Sequence, residues 1–107
     1  MKKINILGVD YEVIKTTDKE EQFLVESNGV CDVYDKKIYL EKEIGIERNT
    51  TKGIDEFQKK VYRHEIIHAF FHESGIRKYT EDEELVDWIA LQYPKLEKIF
   101  NELNIQD

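Results

Sequence analysis

The chain has 107 residues, 40% of them hydrophobic and 36% charged, with a net charge of −7. That length suits a single domain over residues 1–107 with one core, and no apolar run is long enough to cross a bilayer, so a soluble cytoplasmic protein is expected. The acidity and the scattered Lys and Arg argue against direct nucleic-acid binding, and the single cysteine, Cys31, cannot form an internal disulfide, in keeping with a reducing compartment.

The basic pair Lys2-Lys3 is followed too soon by Asp10 and Glu12 to open a signal peptide. Residues 1–46 read mainly as strands. Ile4, Ile6, Tyr11 and Val13 alternate with polar neighbours around Gly8-Val9-Asp10, the period and punctuation of a β-hairpin. A second hairpin is expected from Gly29 to Leu40, with Asp35-Lys36-Lys37 as its turn. Between the two, Phe23, Leu24 and Val25 fit either a short strand or one helical turn.

Residues 54–107 read as helices. Ile54, Phe57, Val61, His64, His68 and Phe71 recur at three- and four-residue steps, marking one face of a helix that Gly75 should close in a left-handed cap. Thr80, followed three residues later by Glu83, has the capping-box pattern of a second helix start. Pro94 should break or kink that helix, and Leu96, Ile99, Phe100 and Leu103 mark a third. The expected fold class is therefore α+β: a small antiparallel sheet of two hairpins, then three helices.

The chemistry concentrates in His64-Glu65-Ile66-Ile67-His68. Residues four apart on a helix lie roughly 6 Å apart on one face, so two imidazoles there can converge on one zinc ion. Glu65 is rotated off that line, yet close enough to serve as general base toward a water at the metal. Unliganded imidazoles on a stripe shared with Val61 and Phe71 would be costly to bury, which favours metal over two ordinary polar residues.

A catalytic zinc site needs a third protein ligand. The pattern with Gly and a third His shortly after the second is excluded, because positions 71 and 74 are Phe71 and Ser74. His72 lies roughly 12 Å along a straight helix from His64, too far to share one ion, and suits the helix C-terminus instead. The acidic run from Glu81 to Asp87 is the remaining source. With Glu83 turned back into a capping box, Glu84 becomes the expected ligand, on the wheel beside Trp88 and Leu91; Glu83 is the alternative, and Asp87 could orient a ligand imidazole. Trp88 and Cys31 read most simply as core, while Tyr34, Tyr79, Tyr93, Arg63 and Arg77 are open candidates for stabilising an oxyanion.

Gly8-Val9-Asp10-Tyr11, the hairpin from Gly29 to Leu40, His64-Glu65-Ile66-Ile67-His68-Ala69, and Glu84 with Asp87 and Ala90 together resemble the small phage-encoded relatives of the ImmA/IrrE metallopeptidases. The resemblance runs over nearly the whole chain, with the zinc motif as its specific part. It implies a minimal zincin-like fold, zinc on His64, His68 and Glu84, Glu65 as the catalytic acid/base, and a regulatory protein as substrate. Two functions follow as expectations. One is a zinc-dependent peptidase. The other is a weak or inactive zinc-binding regulator or inhibitor that acts by occupying a host protein, which the small size favours.

Overall fold

The structure is a computed structural model and describes residues 2–25, 27–43 and 51–107. The end of the expected strand half, 44–46, lies outside the described residues, as does the side chain of Ile54. Four strands, β1 (Lys2–Ile6), β2 (Val9–Thr16), β3 (Gly29–Asp32) and β4 (Lys37–Glu41), precede α1 (Thr51–Ser74), a single turn α2 (Arg77–Thr80), and α3 (Glu83–Glu102). The class is α+β, with a four-stranded sheet and three helices.

Both hairpins form. Ile6 pairs with Val9 across a two-residue loop in which Leu7 and Gly8 have φ of 51° and 93°, the left-handed pair that suits the twist of the flanking strands. In the second hairpin the turn covers residues 33–36 rather than 35–37, leaving Lys37 as the first residue of β4. Asp32 sets it by accepting the backbone N–H groups of Tyr34 and Asp35 through Oδ1, at 3.1 and 2.9 Å.

The sheet departs from the all-antiparallel expectation at its centre. Its order is β1-β2-β4-β3, and β2 pairs with β4 in parallel, from Glu12 opposite Lys37 to Thr16 opposite Glu41. A parallel neighbour needs a crossover rather than a tight turn. The chain leaving Thr16 passes through a 3₁₀ turn at Gln22–Leu24 and down β3 before β4 enters the vacant slot. The ambiguous middle segment is thus one helical turn, and among the described residues β3 is an edge strand.

Alternation puts Ile38 and Leu40 of β4 on the inner face with Ile6 and Tyr11, and Ala69 of α1 completes this cluster. Helix α1 ends as its glycine requires: Gly75 has φ 86°, its N–H bonds His72 O, and Ile76 N–H bonds Phe71 O. The helix is sandwiched, with Val61, Glu65 and Ala69 buried toward the sheet and His64 and His68 turned toward α2 and α3.

The second half of the chain differs from expectation in three ways, the first being that the helical turn α2 forms before the cap. Asp82, rather than Thr80, caps α3, accepting Leu85 N–H through Oδ1 at 3.0 Å. Pro94 does not end the helix but sits inside it. No helix among the described residues is long and apolar enough to cross a membrane.

Candidate metal centre

Helix α1 presents His64 and His68 one turn apart, with their Nε2 atoms 3.1 Å from each other. The carboxylate of Glu83, the first residue of α3, bridges them: Oε2 lies 2.9 Å from His64 Nε2 and Oε1 lies 3.0 Å from His68 Nε2. These are the three groups among the described residues that stand together as a potential metal site. Zinc bonds of 2.0–2.1 Å to nitrogen and oxygen in a tetrahedron require donor separations of about 3.3 Å. The observed triangle is slightly tighter and would open by tenths of an ångström around an ion.

Each outer nitrogen has a hydrogen-bond partner of its own. His64 Nδ1 lies 3.2 Å from Asp87 Oδ1, which can only accept, so a proton on Nδ1 satisfies that contact. His68 Nδ1 lies 2.8 Å from Thr80 Oγ1, whose own hydroxyl hydrogen is directed at His68 O, 3.4 Å away. In the tautomer with both protons on Nδ1, both Nε2 atoms turn lone pairs toward the Glu83 carboxylate. Three electron-rich groups facing one another need a cation or protons among them, and the second partner on each imidazole is the arrangement that orients histidine ligands. Lys60 holds Asp87 in turn, with Nζ 3.2 Å from Oδ1.

Glu84 is not part of this group. It is exposed, on the same side of α3 as Trp88 and Leu91, and that side faces solvent. Val86 and Ala90 are the fully buried positions of α3, and the face they define carries Glu83 and Asp87 toward α1. The apolar look of Trp88 and Leu91 misdirects the helical wheel, because Trp88 is 57% exposed rather than core. Asp82 is the decisive residue. Aspartate caps a helix better than threonine does, so the cap lies two residues beyond Thr80, Glu83 is released from a capping box, and Thr80 is left to hold His68.

Glu65 lies beneath the edge strand, 9% exposed. Burial pushes its carboxyl up to about 7, His64 opposes the rise, and Glu83 adds to it. Burial also lowers the pKa of His68. Two clefts meet at Glu65. One, of about 200 Å³, runs past Ser27, Asn28, Gly29, Lys60 and His64. The other, of about 320 Å³, runs past Cys31, Val33, His68, His72 and Glu83. Cys31, read as a core residue, therefore also lines a cleft, where burial and the nearby carboxylates push its thiol up to about 12.

The remaining candidates lie apart from the triangle. His72 stacks edge-on to Tyr34 at 6.2 Å, on the rim of the larger cleft. Arg63 is committed to Ala90 O at 2.6 Å, and Tyr93 lines a groove between α1 and α3 instead. The sequence pattern alone does not mark Thr80 or Gly29 as part of the site. For Thr80 the signal was present, since an aspartate two residues later competes for the cap; for Gly29 it was hidden in strand register. Comparison with known protein families, with curated proteins and with solved structures finds no match to this chain.

Proposed function

We propose that the protein is a zinc-dependent metallopeptidase of the ImmA/IrrE-like type, with His64, His68 and Glu83 as metal ligands and Glu65 as the catalytic acid/base. The observation that carries this reading is the pair of Nε2 atoms, 3.1 Å apart and both facing the Glu83 carboxylate, with a hydrogen-bond partner on each Nδ1. Zinc bound there supplies Lewis acidity toward a peptide carbonyl and toward water. Glu65 accepts a proton as water attacks the carbonyl carbon, and delivers it to the nitrogen of the departing amine. Asp87 and Thr80 keep the two imidazoles in the ligating tautomer throughout.

Substrate binding follows from the sheet. Asn28 O accepts Glu41 N–H at 3.0 Å, so by the alternation of an antiparallel pair the main-chain groups of Gly29 and Cys31 turn to the open edge. An extended peptide paired to β3 would run past both clefts and over Glu65. A protein or peptide substrate, cytoplasmic residence and a phage or mobile-element origin belong to the same proposal.

One observation favours the second reading, a zinc-stabilised protein that acts by binding. An apolar groove of about 530 Å³ between α1 and α3, lined by Ile66, Phe70, Phe71, Ile89 and Tyr93, lies on a different face from the metal triangle. The test of the first reading is Glu65→Gln, which keeps shape but lacks basicity. Zinc content should match that of the parent while hydrolysis of a fluorescence-quenched peptide library falls by a factor on the order of 10² or more. Equal hydrolysis in parent and variant would overturn it.

A further inference from the structure

Gly29 begins the edge strand directly over Glu65. A Cβ at position 29 would lie 2.8 Å from Glu65 Cγ and 3.2 Å from both Cδ and Oε2. Position 29 is not among the residues with left-handed backbone, so the main chain itself tolerates any residue there. The requirement comes from the side chain of Glu65.

Neither backbone can easily retreat. Gly29 is paired with Leu40 in the ladder, its carbonyl accepts Ser27 Oγ at 2.6 Å, and Asn28 beside it bonds Glu41. Helix α1 is held by Val61 and Ala69, buried on either side of Glu65. Cγ lies in the middle of the side chain, so relieving a contact there swings the whole carboxylate. Among the described residues no side-chain hydrogen bond holds that carboxylate, so its position rests on shape.

We infer that Gly29 is a positioning residue that seats Glu65: the missing Cβ forms the slot in which the carboxylate stands between the two clefts. This rests on the reading of Glu65 as the proton carrier. The size of residue 29 is then coupled to proton transfer and not to metal binding, because the three atoms nearest a Cβ at that position all belong to Glu65. Alanine at 29 turns Glu65 aside and leaves the zinc triangle standing.

Two measurements test this, one of which needs no activity. In a double-mutant cycle, Gly29→Ala should lower Tm by on the order of 5 °C in the parent and by much less in Glu65→Ala, where Cγ is gone. Equal losses in both backgrounds would overturn the seat. Zinc content should equal that of the parent in Gly29→Ala, and a loss of zinc would also overturn it. With the quenched peptide library, Gly29→Ala should lose kcat at least tenfold with KM little changed. Val30→Ala, on the opposite face of the same strand, should retain kcat per bound zinc. Parental kcat in a zinc-loaded Gly29→Ala would overturn the proposal. Absence of hydrolysis in the parent would count against the peptidase reading alone, and the cycle then decides the seat by itself.

Discussion

Arg63 of α1 donates its Nε–H to the carbonyl oxygen of Ala90 in α3, 2.6 Å away, four residues before Pro94. That carbonyl is the one an ordinary residue at 94 would have bonded within the helix. Ala90 is fully buried, so its oxygen would otherwise face an apolar surround without a donor. Arg63 therefore lets α3 continue through a proline, and the same bond clamps α3 to the helix that carries the histidines. Arg63→Met should cost about 1–3 kcal/mol in urea denaturation, the usual penalty for a buried acceptor left unpaired. In Pro94→Ala the helix supplies its own donor and the cost should shrink well below that. An equal cost in both backgrounds would show that Arg63 acts through something other than the proline.

The neighbouring acids of α3 separate cleanly by metal content. Glu83 meets both imidazoles, Glu84 faces solvent, and Asp82 caps the helix. Glu83→Ala should lower zinc occupancy severely, as should His64→Ala or His68→Ala, from about one ion per chain. Glu84→Ala should leave it unchanged. Asp82→Ala should cost about 0.5–2 kcal/mol of stability with zinc retained. Elemental analysis after gel filtration decides among these, and full zinc in Glu83→Ala would remove it from the site.

Asp87 and Thr80 touch the imidazoles at the nitrogen away from the triangle, so their loss should weaken zinc without abolishing it. Asp87→Ala and Thr80→Val should each reduce affinity by about 10–100-fold, read by competition with a chromophoric chelator. Thr80→Ser keeps the hydroxyl and should bind like the parent. Undiminished affinity in both Asp87→Ala and Thr80→Val would mean that the imidazoles need no outside orientation.

Much of this was legible in the residues, and the failures share a cause. Two hairpins, the long histidine helix and its Gly75 cap follow from local periodicity and turn chemistry, which act over a few residues. The parallel β2–β4 pair does not, because a strand's pattern is silent about which neighbour it takes. The local cost of Pro94 predicts a break, whereas the compensation comes from Arg63, a residue on another helix. An apolar wheel face favours Glu84 but tertiary packing turns it outward, and a cap two residues later brings Glu83 instead to the imidazoles. Within the site, the two histidines and Glu65 are placed by one helix and could be read from it; Glu83, Thr80 and Gly29 are brought there by other elements.

The last prediction concerns the opposite end of α1, where Glu73 ties the helix to the sheet. Its Oε2 accepts the hydroxyl of the buried Tyr11 at 2.5 Å and lies 2.8 Å from Lys36 Nζ in the second hairpin turn. Hydrogen bonds from Lys36 first and Tyr11 second hold the Glu73 carboxyl below the usual glutamate range. A carboxylate whose folded pKa is depressed binds fewer protons folded than unfolded. Its contribution is thus fully present above the unfolded value, about 4.3, and is lost as pH falls through the lower folded value. Glu73→Gln keeps an acceptor for Tyr11 but loses the charge facing Lys36. At pH 7 the variant should therefore melt a few degrees below the parent, on the order expected for a loss near 1 kcal/mol in a domain this size. Repeating the melts downward from pH 6, the gap should hold until about pH 4.5 and then narrow as the parent's own Glu73 takes up its proton. A gap that stays constant down to pH 3 would show that the charge of Glu73 contributes nothing and that only its shape matters.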